Sequence, residues 1–263
     1  MSYSRALIAG LFLFLYGSTV SAKQVYVDGN AFSSFSDAAK AIKDHSTVYL
    51  EPGIYETGAY VKANNVAIIG SKGVIFDNAA VDGKAALVLT GNNILVESIE
   101  CRNIRVKDGN GACIRFEGSN LTVRDLYSHN SESGMMTSRV KGAVKVEFSK
   151  FDKLGAQNGY SHGLYVKADL LHLRYSSITN TKRQGSAIKS RSKKVLIENS
   201  LLASMGGNDS RLIDMADYGE LIINNNILQQ GNNSSNSQLI AYGLERNVAK
   251  TFNINRIVLT NNL

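Results

Sequence analysis

Two interleaved series of short apolar strands recur along the chain, and this repeat restricts the fold more than any other feature of the sequence. Neighbouring members of each series lie 22 to 31 residues apart, and glycine, asparagine, serine or aspartate bounds each strand. No helical period separates the strands, which excludes a βα barrel. The repeat instead predicts parallel strands wound into a β-helix, in which each turn buries its inward apolar side chains against the next turn. The aligned positions are Val96, Val123, Val146, Leu173, Ile197, Ile223 and Ile254 in one series, and Leu87, Ile114, Met136, Leu164, Ile188, Ile213 and Ile240 in the other.

Asparagine is predicted to form the corners of this coil. The 263 residues include 25 asparagines and one proline, and asparagine suits turns and left-handed backbone better than helices or strands. Asn199 and Asn225 occupy equivalent places in successive turns, as a ladder of stacked asparagines requires. The amphipathic segment 34–43 (SFSDAAKAIK) predicts a short helix that caps the N-terminal end of the coil. Residues 252–259 are predicted to form one more strand at the other end.

The first 22 residues differ from the rest of the chain. Arg5 precedes an apolar run at 6–16, and Val20 and Ala22 form a small-x-small pattern, so residues 1–22 are predicted to be a signal peptide. The remaining residues 23–263 are predicted to form one β-helix domain that is periplasmic or secreted. No later stretch is apolar over the length of a bilayer span, so we expect no integral membrane segment after the signal is removed.

The mature chain is basic. Without Arg5, 28 of the 29 basic side chains remain against 22 acidic ones, a balance of +6. Excess positive charge in an exported protein indicates an anionic partner, such as an acidic polysaccharide, lipid head groups or nucleic acid. Cys101 and Cys113 are the only cysteines, and their spacing is not that of a metal site. We expect two thiols here, with a disulfide as the alternative, and no metal site.

Side chains alternate across a strand, so an inward apolar residue places the next residue of the strand outside. The alignment then predicts an outer strip that mixes cations, carboxylates and a tyrosine. We interpret this strip as a substrate-binding surface. Its predicted members are Arg115, Tyr165, Lys189 and Asp214 in one column, and Glu117, Lys167 and Arg191 in the next.

A histidine lies at the edge of this strip. His162 aligns with Arg211 two turns further on, and Gly159 and Gly163 flank it in the sequence. Because glycine beside a polar group leaves room for a ligand, we expect His162 and the nearby Tyr160 to contact substrate.

The strip fits proton abstraction from a uronate-containing polysaccharide. Removing the C5 proton of a uronate requires a neutralised carboxylate, and the arginines at 115, 191 and 211 can supply the positive charge. Crowded cations lower the pKa of a basic side chain, so Lys189 or His162 is the predicted base. Tyr165 is the predicted proton donor, either to the leaving oxygen in a lyase or to the opposite face of C5 in an epimerase.

Two other functions stay open. Asp214 and Glu117 lie four turns apart in the alignment, too far for a hydrolytic pair, but Asp214 with Glu245 keeps a glycoside hydrolase open. A non-catalytic polysaccharide-binding or export-scaffold protein would use the same strip as a basic groove. No GxSxG, HExxH, P-loop or GxGxxG motif occurs in a fitting context, so esterase, zinc-protease and nucleotide-dependent activities have no support.

Three runs of sequence carry a family resemblance: GACIRFEGSNLTV at 111–123, GYSHGLYV at 159–166 and IKSR at 188–191. Together they resemble bacterial right-handed parallel β-helix proteins of the pectate-lyase-like superfamily, over nearly the whole mature chain. The resemblance implies an all-β, right-handed parallel β-helix with a short N-terminal capping helix. Better-known members of that superfamily are polysaccharide lyases and mannuronan C5-epimerases, and β-helices also occur in non-catalytic binding proteins.

Two departures limit what the resemblance implies. The Asp-Pro-His-Asp motif of the epimerases is absent, and the single proline, Pro52, lies in a turn near the N-terminus. Lys189 and Arg211 have a spacing similar to that of the lysine base and arginine acid of calcium-dependent lyases. However, basic and amide side chains at 182–184 replace the acidic calcium ligands of those enzymes. We therefore expect an exported lyase that acts on an acidic polysaccharide, with no cofactor, no supported calcium site and no nucleic-acid partner.

Overall fold

The computed structural model describes residues 23–157, 159, 161–245 and 252–263. These residues form an all-β parallel solenoid of about seven turns, with a single short helix near the N-terminus, as predicted. The predicted signal peptide lies outside the described residues. Among the residues described, no helix has the length and apolar character needed to cross a bilayer.

The N-terminal end of the coil is closed by a small cap. Strand β1 (Val25–Val27) pairs in antiparallel fashion with β2 (Asn30–Phe32) and with the first strand of the coil. Helix α1 (Phe35–Ala41) follows, and the hydroxyl of Ser34 accepts a hydrogen bond from the Asp37 N–H at 3.1 Å, which caps its first turn. Phe35 and Ala38 are buried in the core, so the predicted capping helix is confirmed.

The coil has three faces, here called A, B and C, and strands of one face pair in parallel from turn to turn. Face A contains β3 (Thr47–Leu50), β6 (Ala67–Gly70), β9 (Ile94–Arg102), β11 (Leu121–His129), β13 (Ala143–Glu147), β16 (Leu170–Arg174), β19 (Lys194–Glu198), β22 (Glu220–Asn224) and β25 (Arg256–Thr260). Face B contains β4 (Gly53–Tyr55), β7 (Val74–Asp77), the second halves of β9 and β11, β14 (Lys150–Asp152), β17 (Ser177–Thr179), β20 (Leu201–Ala203) and β23 (Ile227–Gln229). Face C contains β5 (Ala59–Val61), β8 (Ala85–Leu89), β10 (Ala112–Phe116), β12 (Ser133–Arg139), β15 (Leu164–Lys167), β18 (Ile188–Ser190), β21 (Ile213–Met215) and β24 (Ile240–Tyr242).

Equivalent apolar side chains stack inside the coil, as the repeat predicted, with one register error on face C. The inward residue of β12 is Met135, in register with Ile114 and Leu164, and not the predicted Met136. Two adjacent methionines give the apolar period no means to choose between them. Met136 instead packs on the outside, against a small apolar cluster that contains Val88.

The last member of the face A series also differs from the prediction. Leu259 is in register with Ile223, whereas Ile254 lies in the connection before β25 and is exposed. The last turn is longer than the others, since Glu220 and its partner Arg256 are 36 residues apart. A spacing learned from the earlier turns therefore placed the final strand too early.

Left-handed residues turn the chain at the corners. Ten of the asparagines have φ between 49° and 59°, a region that asparagine tolerates better than most residues. Their side chains also bond from turn to turn: the amide of Asn93 donates to Asn65 at 2.9 Å, and that of Asn225 donates to Asn199 at 2.5 Å. The predicted asparagine ladder is confirmed, and it explains the high asparagine content.

Charged side chains on the outer surface of face A form a column in which they neutralise one another. Arg124 lies 3.0 Å from Glu97 and 3.3 Å from Glu147, and Arg174 lies 2.7 Å from Glu147. Burial opposes ionisation of Glu147, but the hydrogen bonds and charges of Arg174 and Arg124 outweigh it and lower its pKa. The charges of this column therefore pair with one another.

The two cysteines form a disulfide, which replaces the two thiols we expected. Cys101 lies near the end of β9 and Cys113 lies in β10, with their Cα atoms 5.5 Å apart. Both residues are fully buried. The bond therefore ties face B to face C across the connection at 103–111, next to the strands that carry the predicted strip.

Removing this disulfide should lower the stability of the fold. The bond joins residues 12 apart, and closing a loop of that size in the unfolded chain corresponds to about 3 kcal/mol. The variant that combines Cys101→Ala with Cys113→Ala should thus unfold at lower urea concentration, by about 3 kcal/mol in extrapolated free energy. Unfolding in the presence of a thiol reductant is the control, because the parent should then approach the variant. Equal midpoints without reductant would contradict the prediction.

Candidate functional site

The register of face C brings three residues of the predicted strip side by side. Tyr165 pairs with Lys189, and Lys189 pairs with Asp214, on consecutive strands. Arg115 is more distant, because Met136 separates it from Tyr165 in the register. Three strand spacings, roughly 14 Å, thus lie between Arg115 and Lys189.

These three residues belong to a group of seven side chains, here called the charged cluster. It joins outward residues of β15, β18 and β21 to side chains from the connections that follow β18, β21 and β24. The members are Tyr165, Lys167, Lys189, Arg191, Asp214, Asp217 and Glu245.

Two carboxylates hold Lys189, whereas the sequence predicted that cations would surround it. Its Nζ lies 3.4 Å from Asp214 Oδ2 and also contacts Glu245 Oε1. The expected neighbours Arg115 and Arg211 form no contact with it among the described residues. An ammonium group that two carboxylates hold is not poised to accept a proton, so this geometry does not favour Lys189 as the base.

Arg191 is the centre of the charged cluster. Its Nε donates a hydrogen bond to the Tyr165 hydroxyl at 3.1 Å, and its two terminal nitrogens contact Asp217 and Glu245. Burial disfavours its charge, but Tyr165 and the two carboxylates outweigh burial and raise the pKa of Arg191. The guanidinium is therefore permanently charged and fixed against the phenol.

Two carboxylates of the cluster come from outside the repeat. Asp217 follows β21 in a turn, and Glu245 follows β24, where its N–H donates to the carbonyl of Ala216 at 3.2 Å. The sequence named Glu245 only as a hydrolytic partner of Asp214, and it did not name Asp217. Neither residue occupies a repeated strand position, so the alignment offered no signal that would join them to Arg191.

Tyr165 has an acidified phenol. Burial alone would raise its pKa, but the hydrogen bond from Arg191 and the positive charges of Lys167 and Arg191 together lower the pKa of Tyr165 below its usual value. The Lys167 ammonium lies 4.7 Å from the centre of the tyrosine ring. Lys167 forms no salt bridge with any described residue, so its charge is available to a ligand.

His162 is buried beside Tyr165 and is neutral. Only 7% of it is exposed, and its ring meets the Tyr165 ring edge-on with centroids 5.5 Å apart. Burial, with a smaller contribution from the charge of Lys189, lowers the pKa of His162 to about 3. Its Nδ1 accepts a hydrogen bond from the Ser186 N–H at 3.0 Å, which places the ring proton on Nε2. A neutral ring with its free lone pair occupied is better suited to donate a hydrogen bond than to act as a base.

Asp214 and Arg211 carry atoms without hydrogen-bond partners. Burial raises the pKa of Asp214, although the charge of Lys189 opposes the rise. Its Oδ1 is buried and has no hydrogen-bond partner among the described residues, and the same holds for Nε of Arg211. Arg211 otherwise donates only to the Ser210 hydroxyl, at 3.3 Å.

The other predicted site residues lie apart from the charged cluster or cannot be placed. Arg115 forms an ion pair with Glu117 at 3.1 Å, and Lys84 lies 3.9 Å from the same carboxylate. Tyr160 lies outside the described residues. Within the described ranges, no group of three or more histidine, cysteine, aspartate or glutamate side chains is arranged to hold a metal ion.

The fold and site define a β-solenoid with a charged cluster on one face. No family model and no curated protein matches the sequence. One solved structure is similar, that of ORF18 of Geobacillus virus E2, with a TM-score of 0.46 and 9% identity over 74% of this chain. The match spans about half of that protein, 51% of its length.

The acidified phenol of Tyr165 should be visible by NMR of ring-labelled tyrosine. We expect its Cζ resonance to titrate at a pH below the ordinary tyrosine pKa of about 10. The substitution Tyr165→Phe should remove that resonance, and Arg191→Lys should move its titration to higher pH, because the Nε donor is lost. Tyr49→Phe, at an exposed position on face A, is the control and should leave it unchanged. A Tyr165 titration above the ordinary value would show that burial dominates.

Proposed function

We propose that the protein is a polysaccharide lyase that cleaves a uronate-containing polysaccharide by β-elimination at the charged cluster. The observation that carries this proposal is the phenol of Tyr165, which accepts a hydrogen bond from Arg191 and lies beside Lys167. Cations beside a phenol stabilise the phenolate, so they favour the basic form of tyrosine at a lower pH than usual. The same cations can neutralise the carboxylate of a uronate.

In the proposed reaction, Tyr165 is both base and acid. The phenolate removes the C5 proton of the sugar, the C–H electrons form the C4–C5 double bond, and the C4–O bond of the glycosidic link breaks. The leaving oxygen takes the proton from the Tyr165 hydroxyl, so the enzyme returns to its starting state. The products are an unsaturated uronide and a shortened chain.

The remaining members of the site bind and position. Lys167 and Arg211, which form no salt bridge among the described residues, are assigned to the carboxylate of the substrate. Neutralising that carboxylate stabilises the negative charge that develops next to it in the transition state. Arg191 is positioned by Asp217 and Glu245 so that its Nε stays on the phenol. His162, with its proton on Nε2, is assigned as a hydrogen-bond donor to substrate.

The sequence resemblance and the predicted signal peptide support the same proposal. The runs at 159–166 and 188–191 that resemble pectate-lyase-like proteins supply Tyr165, Lys189 and Arg191 of the charged cluster. A signal peptide would bring the chain to the periplasm or the exterior, where acidic polysaccharides occur. A non-catalytic polysaccharide-binding protein would use the same cations without turnover, and the test below separates the two.

The test is incubation of the mature chain with polygalacturonate, alginate and acidic bacterial exopolysaccharides while the ultraviolet absorbance of unsaturated uronide is followed. We expect turnover whose rate rises with pH, because the phenolate is the reactive form, and levels off below the pH typical of free tyrosine. Tyr165→Phe should reduce the rate by about 100-fold or more. Arg191→Lys should shift the pH profile upward.

Tyr49→Phe is the matched control and should retain full activity, since that ring lies exposed on face A. Substrate binding without any rise in absorbance would contradict the lyase and favour a binding protein. A change of sugar configuration seen by NMR, again without absorbance, would assign the same proton transfer to an epimerase.

A second candidate, a glycoside hydrolase, is favoured by the two carboxylates that hold Lys189. Asp214 has a raised pKa because it is buried, whereas the pKa of Glu245 is lowered, since contacts with Lys189 and Arg191 outweigh its partial burial. Both carboxylates contact one nitrogen, so they lie within about 6 Å of each other, near the separation of retaining hydrolases. A carboxyl group with a raised pKa beside one with a lowered pKa is the pairing that glycoside hydrolysis uses.

The hydrolase predicts saturated products, detected as new reducing ends without ultraviolet absorbance. Under this mechanism Asp214→Asn should lower the rate by about 100-fold or more, because the general acid is lost, while Tyr165→Phe should have a smaller effect. Glu56→Gln, at an exposed position far from face C strands β18 and β21, is the control. Unsaturated products, or full activity of Asp214→Asn, would rule this candidate out.

A further inference from the structure

The corner between faces A and B carries a second surface, away from face C. Seven residues occupy equivalent places at this corner, and all have φ between 49° and 57°. Five of them are short polar residues that tolerate this conformation. The two exceptions, Phe148 and Tyr175, are bulky, and bulky side chains rarely adopt a left-handed backbone. The five short residues are Ser98, Asp125, Asn199, Asn225 and Asn261.

The two aromatic side chains have no role in the core. Phe148 is 54% exposed and Tyr175 is 49% exposed, although each carries a large apolar surface. Their rings stack on each other, with centroids 5.2 Å apart and planes 7° from parallel. They form a rigid exposed pair, here called the aromatic ridge. Asparagine at both positions would continue the ladder and fit the backbone better, so stability of the coil does not explain the choice.

The aromatic ridge forms part of an open groove of about 680 Å³. Its lining combines hydroxyl and amide side chains, among them Ser177 and Asn199, with the apolar residues Leu201, Ile227 and Leu263. Lys150 is the one charged side chain among the described residues of the lining. The corner residues from Phe148 to Asn261 lie on successive turns, so the groove follows the axis of the coil over roughly 19 Å. Its shape is long and narrow.

We propose that the aromatic ridge and its groove bind a linear saccharide chain that lies along the axis of the coil. Aromatic rings bury the C–H surface of a sugar, while hydroxyl and amide groups on both sides can donate to and accept from sugar hydroxyls. Lys150 would pair with a carboxylate if the saccharide is acidic. A docked protein or second copy is less well matched, because a stable interface buries about 800 Å² per partner around a broad apolar centre. In this groove, hydroxyl and amide side chains lie among the apolar residues.

This site is separate from the charged cluster, and its proposal does not rest on lyase or hydrolase activity. Phe148 and Tyr175 lie on the corner opposite face C, so a chain bound there would not reach Tyr165 through the core. The function assigned to the groove is to hold a polysaccharide against the protein, and not to react with it.

The test uses affinity electrophoresis of the mature chain in gels that contain polygalacturonate, alginate or neutral hydroxyethyl cellulose. The variant that combines Phe148→Asn with Tyr175→Asn introduces the residue of the neighbouring turns. It should fold with an unchanged or higher melting temperature and bind roughly tenfold more weakly or worse, a loss of about 1.4 kcal/mol or more. Tyr49→Thr removes an equally exposed aromatic ring from a strand of face A and should leave binding unchanged. Tyr165→Phe should also retain this binding, whatever its effect on turnover.

The proposal is supported if a polysaccharide gel retards the parent and the Tyr49→Thr variant but no longer retards the double variant. Three results would overturn it: no retention of the parent by any polymer of the panel, equal retention of parent and double variant, or a concentration-dependent oligomer in sedimentation that only the double variant abolishes. The last result would identify the aromatic ridge as an interface between copies of the chain.

Discussion

The parallel, hydrogen-bonded register between successive turns is the constraint on which the rest of the molecule depends. Each strand of the coil pairs with equivalent residues of the turns before and after it, so the direction of a side chain on one turn is repeated on the next. Ile188 therefore stacks on Leu164 inside, and Lys189 lies beside Tyr165 outside. The register that assembles the core also aligns the charged cluster, and a slip of one residue would bury the charged cluster and expose the core at once.

The corners impose the second constraint, because the chain must change direction three times in each turn of the coil, each time within a few residues. Left-handed backbone achieves this, and asparagine adopts it with little strain while bonding to its neighbour in the ladder. The disulfide between Cys101 and Cys113 secures the connection at 103–111. At the corner between faces A and B, Phe148 and Tyr175 hold a left-handed backbone at positions where the other turns have short polar residues.

How far the sequence alone could lead follows from the same two constraints. The repeat predicted the coil and placed Tyr165, Lys189 and Asp214 on one face, because all three occupy strand positions that recur. It misplaced Met136 and Ile254, where two apolar neighbours or an enlarged last turn broke the period. It could not foresee that carboxylates would surround Lys189, since Glu245 reaches the cluster from a connection whose path no spacing encodes. The repeat thus predicts the strand residues of the charged cluster, but it does not predict the carboxylates from the connections, which decide the charge around Lys189.

Faces A and C both carry a column of charged side chains, but the two columns differ in how fully their members are paired. On face A, Arg124 lies between Glu97 and Glu147 and forms an ion pair with each of them. On face C, Lys167 and Arg211 form no salt bridge among the described residues, and Asp214 Oδ1 lacks a hydrogen-bond donor. Leaving buried polar atoms unpaired costs free energy, and a rigid register prevents the strands from moving to pair them. The charged cluster on face C therefore differs from the column on face A in how completely its groups are paired within the protein, and less in its number of charges.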